Sequence, residues 1–444
     1  MREEERKIVA DALQMALDAG VDAARMCIEA SGENSVTILD GNVDGIMSAS
    51  SRALYMQLFV DGHYGSFSTN RLDYADLREF IRKAAESTSM VVKDPCRTLP
   101  RRELCYAGDS AGELEQCDLL LDQMGIDERI RLAKGCAEEV LGHPKLISVE
   151  TEWGDSTEYE YMADTEGLSV SNLRSVCTLS ANCTIRGRGD EKPEGGWFDS
   201  DVFTGKVQTE GIGAKALQRT LDSLGARKTR SGEWPLIVEN TCSSQLVHPL
   251  ISVLNGAALQ QDNSFLKAHI GEQLFPETMN IWDRPRTRNN YGSRCYDDEG
   301  LATRDRALID HGRIATCFIN TYYGNKLGMD VTVDGPSLLR FEKDCDITKK
   351  PLTLQDMMKE LDKGILITGF NGGNFNPSTG DFSYGVRGFL FEGGRKVRPV
   401  NGMNVTGNFI RLWQGLLLAG DDALKSNRWR IPSLAFSGLS FSGE

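Results

Sequence analysis

The chain of 444 residues has only five histidines, and no two of its cysteines form a C-x-x-C pair. Zinc ribbons and thioredoxin-like redox sites are therefore disfavoured, because both depend on closely spaced ligands. Long apolar runs are absent too, since stretches such as 364–370 fall far short of the roughly 20 residues that a bilayer span needs. The 11 cysteines are an odd number, so we expect reduced, buried thiols rather than a disulfide framework.

Positive charge is also in short supply. The chain has 50 Lys and Arg residues against 64 Asp and Glu residues, a formal net charge of −14. This balance argues against a nucleic-acid-binding protein and against attachment to anionic lipid, because both interactions depend on cationic side chains. The first residues, Met1-Arg-Glu-Glu-Glu-Arg-Lys7, are typical of a charged helix and not of a signal peptide. We therefore expect a cytoplasmic protein with no membrane contact.

The hydrophobic pattern predicts an α+β fold in two domains. Residues 1–225 read as an N-terminal mixed α/β domain, 226–233 as a basic linker, and 234–444 as a β-rich C-terminal domain. In the first domain we expect helices at 2–19, 75–86, 127–141 and 211–224, and strands at 25–30, 35–39, 45–50, 53–60, 64–68, 146–150, 157–164 and 169–185. In the second domain we expect a strand at 235–238 and helices at 244–259, 354–361 and 407–418.

A glycine-rich segment, 369–381, could hold an anion with its backbone N–H groups. It fits neither the phosphate-loop nor the dinucleotide pattern, because a strand-like run follows it where those motifs need a helix. Tight turns with Gly and Asn at positive φ are the favoured interpretation. As a candidate peptide-binding loop we single out the polar and glycine positions Asn371, Gly372, Gly373, Asn376, Thr379 and Asp381.

Two further features have a structural and a functional interpretation. The run Asp297-Asp298-Glu299 offers oxygen ligands to Ca²⁺ or Mg²⁺, but it lacks EF-hand spacing and has arginines nearby. Ion pairs on a solvated turn are therefore favoured. His248 lies on or at the start of an amphipathic helix, where Pro249 suits a first turn. Taken alone, His248 is more typical of a cap or packing residue than of a metal ligand.

Several blocks of the second half resemble, in the same order, the TldD/PmbA family. The stretch 52–69 is similar to the strand and turn of that family's first domain. The resemblance implies the family's fold and a link to metalloproteases that work as a TldD–TldE pair, and by name to modulation of DNA gyrase. The blocks are Gly292-Ser-Arg-Cys-Tyr-Asp-Asp-Glu-Gly-Leu-Ala-Thr303, Leu308-Ile-Asp-His-Gly312, Asn320-Thr-Tyr-Tyr-Gly-Asn-Lys-Leu-Gly328, Gly372-Gly-Asn-Phe-Asn-Pro-Ser-Thr-Gly-Asp-Phe382 and Gly388-Phe-Leu-Phe-Glu392.

The TldD-type subunit of that family carries His-Glu-x-x-x-His on a helix and a cysteine near its C-terminus, which bind Zn²⁺, while the Glu takes a proton from water. The matching window here is His248-Pro-Leu-Ile-Ser-Val253. Pro249 replaces the general base, Val253 replaces the second histidine, and no cysteine follows Cys345. The resemblance therefore implies the PmbA/TldE branch, with no catalytic residue, no metal ligand and no cofactor in this chain, and with zinc in the partner.

Three functions stay open on this basis. The leading hypothesis is a non-catalytic subunit that pairs with a TldD-like metalloprotease and helps it bind peptides or unfolded proteins, which can add as a strand to a sheet edge. The second is a self-sufficient metallopeptidase with atypical ligands such as His248, His269 or Asp298. The third is a protein-binding modulator of DNA gyrase. For the chain alone, a homodimer is also left open.

Overall fold

The computed structural model describes residues 2–108, 110, 112–343 and 351–443. No helix in these residues is long and apolar enough to cross a membrane. The α-helices are α1 Arg2–Asp18, α2 Tyr74–Thr88, α3 Ile126–Glu138, α4 Ile212–Asp222, α5 Ser244–Val253, α6 Gly256–Gln260, α7 Thr321–Leu327, α8 Leu354–Leu361 and α9 Phe409–Gln414.

The N-terminal part is built on one antiparallel sheet with the strand order β3-β2-β1-β4-β5-β6. Its four central strands are 17 to 19 residues long, far above the usual five or six. The strands are β1 Ala23–Leu39, β2 Asn42–Val60, β3 His63–Thr69, β4 Leu146–Asp164, β5 Ser169–Ile185 and β6 Glu194–Asp201.

All four N-terminal helices cover the same face of this sheet. Pairing of β1 with β4 is unbroken from Arg25 to Leu39, so side chains alternate strictly between the two faces. Met26 and Ile28 pack with α1 and α2, while Val36 and Ile38 pack with α3 and α4. The odd-numbered residues of β1 therefore point to the opposite face, which none of these four helices covers.

The C-terminal part contains a closed ring of five strands, β14-β13-β12-β7-β16, because β16 also pairs with β14. Only β7 and β12 are parallel within it. A small sheet, β10-β9-β8-β11, lies beside the ring. The strands are β7 Gly232–Val238, β8 Ile281–Asp283, β9 Arg306–Asp310, β10 Arg313–Ile314, β11 Leu339–Phe341, β12 Gly364–Phe375, β13 Asp381–Glu392, β14 Arg395–Asn408, β15 Leu416–Ala419 and β16 Leu434–Ser442.

The core of the C-terminal part lies between the ring and α5. Alternate residues of β7 explain this, because Leu236 and Val238 join the cluster that contains Val247 and Leu250 of α5. Ile237 points the other way and packs with the methionines of α8. The α+β class and the β-rich C-terminal part are thus confirmed.

Several predicted elements were wrong in their extent. The strand pairs 25–30 and 35–39, 45–50 and 53–60, and 146–150 and 157–164 are each one continuous strand. The expected helix 244–259 breaks after Val253, because Asn255 caps a new helix by accepting a hydrogen bond from the Ala258 backbone N–H at 3.0 Å. The expected helix 407–418 shrinks to α9. The predicted linker 226–233 overlaps β7 at Gly232 and Glu233, which pair with β16.

Candidate functional site

Helix α5 carries the window that resembles a zinc helix. Pro249 is inside this helix and not in its first turn, contrary to the sequence-based expectation. Pro249 is buried, and Val253 is 0% exposed in the main C-terminal core. A proline ring and a valine at these positions have no atom that could accept a proton or bind a metal. His248 packs its ring against Trp429, with the ring centroids 5.5 Å apart.

His248 lines a cavity of about 210 Å³. The polar side chains around it are amides, hydroxyls and one carboxylate, namely those of Ser252, Asn255, Asn320, Tyr323 and Asp334. A catalytic zinc needs three protein ligands from His, Cys or carboxylate side chains. One imidazole and one carboxylate do not make that set, so the described residues around His248 do not fit zinc.

A larger cavity of about 650 Å³ adjoins this one, and both are lined by Asp334 and Gly335. It lies between the helix-free face of the N-terminal sheet and the loop that follows Gly292. Its lining carries charges of both signs. They are the carboxylates of Glu29, Glu160, Asp297, Asp298 and Asp334 and the guanidinium groups of Arg25, Arg174, Arg294 and Arg428. Such a lining suits a polar ligand and not an apolar one.

Asp297 organises the wall of this cavity, and it is not on a solvated turn as the sequence suggested, because it is only 1% exposed. Its Oδ1 accepts the backbone N–H groups of Glu299 at 3.0 Å and Leu301 at 2.9 Å, and its Oδ2 accepts that of Asp334 at 2.9 Å. Burial, with the nearby Asp334 carboxylate, raises the pKa of Asp297 to about 7. Asp298 is exposed and makes the expected kind of ion pair, with Arg294 at 3.3 Å.

Asp334 lines both cavities, so its charge affects both. Burial raises its pKa to about 6, although Arg294 donates to its Oδ1 at 2.7 Å and opposes that rise. Because Asp297 and Asp334 both hold protons more tightly than free carboxyl groups, the wall gains negative charge between weakly acidic and neutral pH.

Sequence reasoning missed a group of three potential ligands in the larger cavity. The thiol of Cys27 and the carboxylates of Glu29 and Glu160 lie within 4.8 Å of one another. Tyr296 donates to Glu160 at 2.7 Å and holds that carboxylate in place. The pKa of each of these three groups is raised, and burial is the main cause. Cys27 and Glu29 are two positions apart on β1, so the sequence alone could place them on one face. The register that brings Glu160 of β4 opposite Glu29 could not be read from the sequence.

The candidate peptide-binding loop is distributed over a hairpin. Asn371, Gly372 and Gly373 lie within β12, where pairing with β13 is irregular and the glycines have φ of 79° and 128°. Asn376 and Thr379 form the turn with Asp381, which accepts hydrogen bonds from Thr379 at 2.8 Å and Asn408 at 2.9 Å.

These contacts fix the hairpin itself, and the bond from Asn408 lowers the pKa of Asp381. None of the six loop residues lines the cavities beside α5. The segment reaches another cleft of about 710 Å³, between β6 and the ring, through its first residues Gly369 and Phe370. His269, a further candidate ligand, is bonded to Glu272 at 2.7 Å and lines none of these cavities.

Three family models match successive parts of the chain. They are PmbA/TldA metallopeptidase domain 1 at residues 26–88, the central domain at 120–224 and the C-terminal domain at 231–443. The long sheet and the ring of strands lie almost wholly within these matched regions, so the fold is that of a protein with the metallopeptidase-type architecture of these three domains. The chain belongs to the PmbA/TldD family.

Relatives with known names support this assignment. The chain is 25% identical to "Metalloprotease PmbA" of Escherichia coli O157:H7, over 100% of this chain and 98% of that protein. A "Metalloprotease TldD homolog" of Haemophilus influenzae is 23% identical, over 58% of this chain and 57% of that protein.

Solved structures agree with the family assignment. A crystal structure of a candidate modulator of DNA gyrase from Bacteroides thetaiotaomicron is 40% identical, covers 99% of both chains and has a TM-score of 0.95. TldE from Thermococcus kodakarensis shares the fold, with a TM-score of 0.83 at 18% identity over 98% of this chain and 100% of that one.

Proposed function

We propose that the chain is a non-catalytic subunit that pairs with a TldD-type metalloprotease and contributes to the cavity in which the pair holds peptides or unfolded proteins. The observation that carries this proposal is helix α5. The two positions at which the family's zinc helix needs a carboxylate and an imidazole hold Pro249 and Val253, and both are packed in the core. Zinc and the activated water then belong to the partner.

The two adjoining cavities, which share Asp334 and Gly335 in their linings, support a peptide-binding role. Their walls carry hydrogen-bonding groups and paired charges, which suit the polar backbone of an extended chain. Strand addition was expected in the β-rich C-terminal part. There, however, β14 pairs with β16 over Asn404–Thr406, so this stretch of the ring offers no edge to an incoming strand. The long strands of the N-terminal sheet are the better candidates for that mode of binding.

A reconstitution assay tests the proposal. The chain, a TldD-type chain with an intact His-Glu-x-x-x-His helix from the same genome, and their mixture are each incubated with an unfolded protein substrate. We expect cleavage only by the mixture. His269→Ala in this chain is the matched control and should leave cleavage unchanged, because His269 lines none of the cavities. Changing the partner's motif Glu to Gln should abolish cleavage. Cleavage by this chain alone would refute the proposal.

The second candidate function is a metallopeptidase that uses its own atypical ligands, and Cys27, Glu29 and Glu160 are the observation that favours it. A self-sufficient site should hold about one metal ion per chain after purification, and Cys27→Ser should reduce both the metal content and any activity. Elemental analysis of the native chain and this variant decides between the two candidates. Less than a tenth of an equivalent of metal in the native chain would exclude the second.

A further inference from the structure

The helix-free face of the N-terminal sheet is strongly acidic. Because side chains alternate, six glutamates of two neighbouring strands point to this face, in addition to Asp164, which is bound to Arg25. Along β4 they occur at every second position in two pairs, about 7 Å apart within each pair. We call these six the acidic face: Glu29 and Glu33 on β1, and Glu150, Glu152, Glu158 and Glu160 on β4.

Positive charge offsets the end of this face that lies in the cavity, where Arg294 and Arg428 join the lining with Glu29 and Glu160, but not the other end. Arg174 on β5 pairs with Glu158 at 2.5 Å, and Arg25 is bound to Asp164 at the buried end of the sheet. Glu33, Glu150 and Glu152 are exposed, and within the described residues they form no ion pair. Surface carboxylates grouped in this way repel one another, and a cationic ligand would relieve that repulsion.

A second observation points to a ligand with a peptide backbone. Strand β3 pairs only with Leu54–Val60 of β2, so the outer edge of β2 from Val43 to Ala53 has no strand beside it in the described chain. Residues 42–51 are exposed except for half-buried Gly45, and the edge includes exposed Val43, Ile46 and Met47. An edge of this length with few charges is a natural template for strand addition.

The edge and the acidic face are geometrically matched. On the acidic side β2 presents mostly small residues, with Ala49 opposite Glu33 and Ala53 opposite Glu29. A strand added to β2 would lie two strand spacings, roughly 9.5 Å, from β1. The long stem of a lysine or arginine in that strand can pass over the alanines and bring its charge to the carboxylates of β1.

We propose that the β2 edge and the acidic face together bind an extended, lysine- or arginine-bearing segment of the substrate peptide. This inference rests on the proposed peptide-binding function and adds the class of peptide. Binding by backbone hydrogen bonds would tolerate many sequences, and the carboxylates would select basic residues at every second position.

Fluorescence anisotropy with the full-length chain tests this inference. The probe is a labelled 12-residue peptide with Lys at alternate positions among Ser and Thr, and the matched probe has Gln in place of Lys. We expect the Lys peptide to bind more tightly and to lose affinity with added salt, because exposed charges are screened. The double variant Glu33→Gln/Glu152→Gln should weaken binding about two- to fivefold, mainly through Glu33, because β1 lies nearer to the added strand than β4 does.

Glu138→Gln on α3 is the matched control, because Glu138 is exposed but lies with the helices on the opposite side of the sheet. It should leave affinity unchanged. A Lys peptide that is N-methylated at alternate residues should bind poorly, since it cannot donate to the β2 edge.

The outcomes separate the inference from the proposed function. Equal affinity for the Lys and Gln peptides, or no effect of the double variant, would overturn the inference and leave peptide binding intact. No binding of either peptide would overturn the inference, and the reconstitution assay would still decide the proposed function separately. A homodimer that occupies the β2 edge, detected as a dimer that Ile46→Asp dissociates, would overturn the inference as well.

Discussion

The ion pair between Arg129 of α3 and Asp155 of β4 gives the sharpest test of how the sheet is held to its helices. The guanidinium binds both carboxylate oxygens, at 2.6 and 2.9 Å, and the side chains are only 7% and 3% exposed. Replacing Arg129 with Met leaves Asp155 buried, with the Trp153 indole N–H and the Asn34 amide as its remaining donors. Loss of one partner of such a pair costs about 3–5 kcal/mol.

Urea unfolding followed by circular dichroism measures that cost. The matched control is Arg131→Met on the same helix. Arg131 pairs with Glu128 at 2.6 Å, but both side chains are exposed, and exposed pairs contribute little to stability. The double variant Arg129→Met/Asp155→Leu should recover most of the stability, since no unpaired charge is then buried. The reasoning is refuted if Arg129→Met destabilises the protein no more than Arg131→Met.

Two further predictions concern the cavity wall and the ring. Because folding raises the pKa of Asp297 to about 7 and that of Asp334 to about 6 from 3.8, the folded state binds more protons than the unfolded state between about pH 4 and 7. The free energy of unfolding should therefore fall as pH rises through that window. In urea titrations at pH 5 and pH 8, the double variant Asp297→Asn/Asp334→Asn should lose this dependence of the unfolding free energy on pH. Gly388→Ala should lower the free energy of unfolding by more than about 2 kcal/mol or prevent folding, because the new Cβ would lie 1.8 Å from the Leu366 carbonyl oxygen. Gly32→Ala is the control and should change the urea midpoint little, because the space around Gly32 is free.

Much of the fold could be predicted from the sequence, because alternation and helical periodicity are local properties. Strand β5 and helix α8 were predicted to the residue. The broken strands show where local reasoning fails. Gly32 and Asn34 indicate a turn in isolation, yet neighbours on both sides pair with β1 at these positions, and Asp155 accepts a hydrogen bond from the Asn34 amide at 3.1 Å.

The error at 407–418 has a similar cause. An apolar run between Asn408 and Ala419 is compatible with a helix or a strand, and periodicity alone cannot decide between them. In the structure, Asn408 caps a helix of six residues, and Leu416–Ala419 then pairs with β16. The outcome depends on a strand more than 15 residues further on, which no local window contains.

For the candidate site, too, the sequence shows the local features and not those that depend on contacts between distant segments. The absence of a zinc-type pattern at Pro249 and Val253 could be read from the sequence, since it concerns residue types at fixed spacing. The cavity could not, because Glu160, Tyr296 and Asp334 come from three distant segments. Only the register of β1 with β4, and the three backbone hydrogen bonds to Asp297, bring these groups to one wall.

Helix α5 and the cavity wall beside it affect the stability of the fold in opposite ways. In α5, Pro249 and Val253 add to the apolar core, so this part of the fold is optimised for packing. Beside it, the fold keeps Asp297 and Asp334 buried enough to raise the pKa of each, which lowers stability at neutral pH. Groups held at a cost in stability are typical of functional surfaces. Under the proposed function, this cost in stability is that of a cavity wall whose carboxyl groups bind a polar ligand.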